Sequence, residues 1–335
     1  MTLNTFTFAG EDGAQIAAYR WDPAGAPRAV VQITHGMGEH ARRYEHVAAA
    51  LNEAGYVVYA QDHRGHGASV ISEPGDLGDG GWPALVDDIG TLGARVRDEQ
   101  PGLPLVLLGH SMGSFAVQQY LLRHSWEVDA AVLIGTAVID LLEAALDLDQ
   151  PMDLAMFNAP FAPARTDYDW LTRDEAIVDA YVADPLCGFG LDPRSARQMF
   201  EGARALADPA QVANIKPDLP IYIAAGEQDP VNGGLALLLP LEDRLKQGGL
   251  TDVTLVTYPG ARHEILNETN RAEIIAALIA WLDRVTGLQA AGAVGEEGGD
   301  RALVGGDDAG PEDAGQAGTL ADEGGEEQAV GGAAE

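Results

Sequence analysis

The sequence LVLLGHSMGSF (residues 105–115) carries an apolar, strand-like stretch into a Gly-x-Ser-x-Gly corner and leaves it as a helix. A serine at such a corner sits in a strained backbone conformation, and side chains two positions to either side would collide with it. Gly109 and Gly113 remove those collisions, so the pattern predicts a nucleophile elbow with the Ser111 hydroxyl raised above a sheet. Five-residue patterns also arise at ordinary strand-to-helix turns, so Ser111 needs partners elsewhere in the chain.

The flanking sequence supplies the sheet. LNTFTF and QIAAYRW alternate apolar and polar positions, as an edge hairpin does. AVVQIT (29–34), YVVYAQ (56–61), PLVLLG (104–109), AAVLIG (130–135), PIYIAA (220–225) and VTLVTY (253–258) are short and rich in Val, Ile and Leu. Such runs suit the buried strands of a parallel sheet. Between them, Tyr44, Val47, Ala48 and Leu51 form a helical stripe that Gly55 can stop, and Ile274, Ile275, Leu278, Ile279 and Leu282 form another. Strands alternating with helices predict an α/β fold with a mostly parallel, doubly wound sheet. There is no internal repeat.

The interval from Gly135 to Leu219 breaks this rhythm, holding no clear strand. So long an insertion is rarely a bare loop. It predicts a helical cap at residues 137–208 over the carboxyl edge of the sheet, on a core of residues 1–136 and 209–287. Met152, Met156, Phe157 and Phe161 are its candidate pocket residues; the plainer alternative is that they pack only against one another. Beyond Gly287, Gly, Ala, Asp and Glu dominate, with no aromatic residue and Arg301 as the single base. Residues 288–335 are therefore expected to be a disordered acidic tail serving solubility or charge repulsion.

The formal net charge of -32 argues against nucleic-acid binding and disfavours polyanionic substrates and anionic membranes. One cysteine, Cys187, excludes an internal disulfide framework and fits a cytoplasmic location; a buried apolar filler is its ordinary role. The start, MTLNTFTFAGEDG, has no basic or apolar leader pattern, and no apolar run reaches membrane-spanning length.

A serine nucleophile needs a base and an orienting acid, which come after it in the order Ser, acid, His in elbow-type hydrolases. Only His124 and His263 come after Ser111. His124 falls in the helix that the elbow starts and cannot fold back, which leaves His263, in the loop after the last strand. IYIAAGEQDPVN offers Glu227 and Asp229 as the acid; Gly226 turns the chain and Pro230 stiffens it, favouring Asp229. The backbone amides of Met112, after the nucleophile, and Met37, in the THGMGEH loop after AVVQIT, are the expected oxyanion donors. DHRGHGAS (62–69) holds two histidines, but its glycines and an Asp62/Arg64 pair suit a structural turn better than catalysis.

THGMGEHARRY, DHRGHGAS, PGLPLVLLGHSMGS, DAYVADPLCGFG, AAGEQDP and YPGARHEILNE together resemble the monoacylglycerol lipase and lysophospholipase group of α/β-hydrolases, also classed with the serine aminopeptidase-like hydrolases. The match runs in order over residues 10–286. It implies an α/β-hydrolase fold, a Ser111–Asp229–His263 triad, Met37 and Met112 amides as the oxyanion hole, and Cys187 near the substrate channel. Ser114 departs from the glycine that often follows the elbow, and the acidic tail has no counterpart. The expected reaction is ester hydrolysis through an acyl-enzyme, without metal or organic cofactor, on a small neutral monoacyl ester. The cap is then a place of transient contact with lipid aggregates. Ser111 speaks against dehalogenase or epoxide hydrolase chemistry, which needs an aspartate at the elbow. General esterase, thioesterase and peptidase activities share the same triad, and a non-catalytic binding protein on this scaffold is the alternative of another class.

Overall fold

A computed structural model describes residues 1–287; the expected acidic tail, residues 288–335, lies outside the described residues. Eight strands form one sheet: β1 (Thr2–Ala9), β2 (Gln15–Asp22), β3 (Ala29–Thr34), β4 (Tyr56–Gln61), β5 (Leu105–His110), β6 (Ala130–Ile134), β7 (Ile221–Gly226) and β8 (Val253–Tyr258). Their order is β1-β2-β4-β3-β5-β6-β7-β8. β1 and β2 are an antiparallel edge hairpin, β2 is antiparallel to β4, and every other pair is parallel. AVVQIT, YVVYAQ and VTLVTY occupy the expected strands. β5 and β7 each begin one residue later than expected, because Pro104 and Pro220 have no N–H for a ladder. Their carbonyls instead accept from Val30 and Ala131.

The central strands are apolar on both sides because both faces are covered. Leu105 and Leu107 of β5 pack with helices α2 (Gly81–Glu99) and α3 (Met112–His124). Val106 and Leu108, alternating with them, face the layer of α1 (Glu45–Glu53) and the last helix of the fold, Arg271–Val285. Each such side chain contributes about 1.5–3 kcal/mol when fully buried. The chain leaves β3 toward β4 on one side and reaches β5 on the other. At that switch point the loops after β3 and β5 lie side by side.

Between β6 and β7 the chain forms no strand. It runs through 3-10 segments at Ile139–Leu141, Glu143–Ala145 and Leu154–Phe161, then α4 (Glu175–Ala183) and α5 (Pro193–Ala203), a further 3-10 turn and the short α6 (Pro209–Val212). Asp153, Asp174, Asp192 and Asp208 begin four of these segments by accepting the backbone N–H two residues on. Pro160 lies inside the Leu154–Phe161 segment, where it cannot donate, so the segment does not extend as an α-helix. After β7 come α7 (Leu239–Gln247) and, following β8, α8 (Arg271–Val285). No helix among the described residues is long and apolar enough to cross a membrane.

Candidate active site

Ser111 sits between β5 and α3 with φ 52° and ψ -124°, the strained conformation an elbow demands. The glycines around it have no room for side chains. A Cβ on Gly113 would lie 2.2 Å from the Thr34 carbonyl oxygen, and one on Gly109 would lie 2.7 Å from the Ser114 Cα. Ser114, the departure from the family pattern, donates its hydroxyl to the Ser111 carbonyl at 2.6 Å, and the same oxygen lies 2.8 Å from the Thr136 hydroxyl, from which it can accept. It thereby braces the corner.

The chain after β7 and the chain after β8 bring the candidate acid and the candidate base together. His263 Nδ1 lies 3.0 Å from both carboxylate oxygens of Asp229, and both residues are buried. Asp229 also accepts the Val231 N–H at 2.9 Å. Gly226 permits this approach: a Cβ there would lie 2.2 Å from the Ala261 carbonyl. Glu227, the other candidate acid, points outward to the Thr257 hydroxyl. His124 stacks on Tyr120 at the far end of α3 and meets Glu127.

Ser111, His263, Met37 and Met112 line one cavity. Of the pocket residues named from sequence, Met152 and Phe157 line it too. Met156 is 44% exposed, Phe161 packs under the Arg262 guanidinium at 4.3 Å, and Cys187 stands outside the lining, its thiol pushed up by burial. One aromatic contact to His263 is not legible in the sequence. The Trp170 ring packs against His263 at 4.9 Å between ring centres, tilted by 41°, and its carbonyl accepts the His263 backbone N–H. Phe115 of α3 and Phe200 of α5 complete the apolar wall. A π-bearing ring separated by about 90 positions from its histidine leaves no local sequence signal.

A buried polar cluster borders the same cavity as Ser111 and His263. Glu39, on the loop after β3, accepts the Gly36 N–H at 2.6 Å, the Tyr44 hydroxyl at 2.9 Å and an Arg43 N–H at 2.6 Å. Burial opposes its charge, but Arg43 and His110 more than offset this, and Glu39 stays well below the usual carboxylate range. Burial likewise opposes protonation of His110, yet the hydrogen bond to Glu39 and the field of that carboxylate prevail and raise it above an ordinary imidazole.

The DHRGHGAS segment is structural, but not through an Asp62/Arg64 pair. Arg64 forks onto Asp88 and Asp12 instead. The acceptors of Asp62 are taken by the Ala41 and Ala68 amides and the Tyr19 hydroxyl. His63 and His66 of this segment pack on His35, with ring centres 4.4 and 5.3 Å from it. Burial lowers all three, His66 to about 3.

An eight-stranded sheet with a strained serine after β5 and a buried Asp–His pair after β7 and β8 is an α/β-hydrolase. The family model for serine aminopeptidase, S33 (Hydrolase_4) matches residues 25–270, and the chain belongs to this family. It is 35% identical to the monoacylglycerol lipase of Mycolicibacterium smegmatis, over 84% of this chain and 97% of that protein. It is 30% identical to human monoglyceride lipase, over 77% and 82% respectively. Among solved structures, a thermostable carboxyl esterase from Bacillus coagulans in complex with glycerol superimposes with a TM-score of 0.76 at 29% identity, covering 85% of this chain and 99% of that one.

Proposed function

We propose that this protein is a serine hydrolase that cleaves carboxylic esters of neutral monoacyl lipids, monoacylglycerols foremost, through an acyl-enzyme on Ser111. The observation that carries this reading is the Asp229–His263 pair and the strained Ser111 facing one apolar cavity. His263 takes the Ser111 proton as the oxygen attacks the ester carbonyl. Asp229 holds the imidazole tautomer and stabilises the imidazolium. The Met37 and Met112 amides receive the oxyanion, the alcohol leaves with the proton from His263, and water releases the acid by the reverse path.

The substrate class is set by the walls. Met152, Phe157, Leu154 and Phe200 suit an acyl chain. Glu39 and Glu264 also border the cavity, but Arg43 bridges both, so it is the apolar lining that disfavours a charged head group. On the outer surface Asp147, Asp149, Asp153 and Asp167 also carry negative charge, which Arg197 offsets at Asp149. We take residues 137–208 as a cap on a core of residues 1–136 and 209–287. The exposed Met156, Val182 and Leu186 are the side chains for transient contact with lipid aggregates. A cytoplasmic location belongs to the same proposal, supported by the absence of any cysteine pair.

The test is kcat/KM for monoacylglycerols of increasing chain length against p-nitrophenyl acetate, a lysophosphatidic acid and an aminoacyl amide. With about 0.8 kcal/mol per buried methylene, the value rises several-fold for each added pair of carbons until the cavity is full. Preference for the acetate or the amide overturns the lipid assignment.

A further inference from the structure

Three largely buried charges, Glu39, Arg43 and Glu264, lie beside the triad and take no part in its proton transfers. Glu39 belongs to the loop after β3 and holds the Gly36 amide, one residue before the Met37 amide. Glu264 directly follows His263. Arg43 joins the two. Its Nη1 lies 2.6 Å from Glu39 Oε2 and 2.6 Å from Glu264 Oε1, and its Nη2 lies 2.9 Å from Glu264 Oε2. The same guanidinium packs over the ring of Tyr181 in α4 at 4.8 Å, and the Tyr181 hydroxyl donates to the Gly38 carbonyl at 2.8 Å.

A buried ion pair is weak as a source of stability, because desolvation offsets the attraction. What a planar fork does well is fix two carboxylates relative to each other. Here those carboxylates sit 225 positions apart in the chain, on the two loops that the reaction must keep in register.

We propose that Arg43 is a positioning residue that locks the loop carrying the Met37 amide to the loop carrying His263, so that oxyanion donor and base are placed as one unit. The proposal rests on the serine-hydrolase reading of Ser111. Nη1 alone meets both carboxylates, so a lysine can keep one bond to each, but it loses the Nη2 bond to Glu264 and the planar fork that fixes the angle between the two loops. In Arg43→Lys, therefore, kcat falls roughly 10- to 100-fold while KM stays within about twofold, the pattern of misplaced rather than unbound substrate. Affinity for a trifluoromethyl ketone, which forms a tetrahedral adduct on the serine, falls by the same factor.

A second readout needs no activity. In Glu264→Gln, amide hydrogen exchange accelerates at Gly36 to Gly38, on the other loop; in Glu39→Gln it accelerates at His263 to Ile265. A folded Arg43→Lys with wild-type kcat and ketone affinity overturns the proposal, as does exchange that changes only in the mutated loop. If Arg43→Lys fails to fold, Glu264→Gln, which keeps the side-chain shape, carries both measurements. A wild-type protein without hydrolase activity contradicts the functional reading and leaves the exchange experiment to decide the coupling.

Discussion

The two walls of the cavity are built by different means. On the core side, Ser111, Met112, Met37 and His263 are placed by backbone: a positive φ at Ser111, glycines whose Cβ atoms have no room, and strand ends that stop at one edge. On the insertion side, Met152, Phe157 and Phe200 reach the cavity as apolar bulk from 3-10 and helical segments spaced irregularly along the chain. Backbone constraints admit few residue types, whereas bulk admits many. Chemistry is therefore expected to be intolerant on one wall, and selectivity adjustable on the other.

The strongest way to break this contrast is at the core wall. Ser111→Ala and His263→Ala are each expected to fold normally and to lose at least about a thousandfold in ester hydrolysis, since triad members act as a unit. His124→Ala keeps its turnover. Residual activity near wild type in either of the first two, measured on purified folded protein, removes the core wall from catalysis.

The insertion wall gives a smaller and more selective effect. Phe157→Ala is expected to lower kcat/KM for long-chain monoacylglycerols by roughly 5- to 50-fold, from lost apolar contact. Turnover of p-nitrophenyl acetate stays within about threefold. An equal loss on both substrates means that this wall serves the chemistry and not the choice of chain.

That division also explains what sequence made legible. The elbow, Asp229 and His263 could be read because glycines, strand ends and chain order leave little choice. Trp170 and the Arg43 fork could not, because their partners lie far away in sequence and a single Trp or Arg carries no local pattern. Arg64 misled for the opposite reason: Asp62 is near in sequence, but its oxygens are already filled by backbone amides. Met156 and Phe161 share the composition of the wall without sharing its direction, which only the 3-10 path through Leu154–Phe161 decides.

The buried histidines sharpen the contrast through stability. His35, His63 and His66 are held neutral in the fold but titrate near 6.5 when unfolded. The unfolded chain then binds more protons in acid, so this contribution is complete above about pH 6.5 and is lost as pH falls below it, for His66 down to about 3. His110, raised in the fold, acts in the opposite sense, stabilising below about pH 6.5. The slope is about 1.4 kcal/mol per pH unit for each proton taken up on unfolding. Melting temperature is expected to drop from pH 7 to pH 5, and less steeply in His66→Gln; an unchanged slope in that variant contradicts the assignment. The smallest expected effect is at Glu227, the rejected acid: Glu227→Gln leaves kcat/KM within about twofold, and a larger loss shifts the acid away from Asp229.

The most direct measurement is covalent labelling of the intact protein with a fluorophosphonate, followed by peptide mass analysis. The expected result is a single adduct on Ser111, abolished in His263→Ala and blocked by prior incubation with a long-chain monoacylglycerol. No adduct, or an adduct on another residue, contradicts the assignment of Ser111 as the nucleophile.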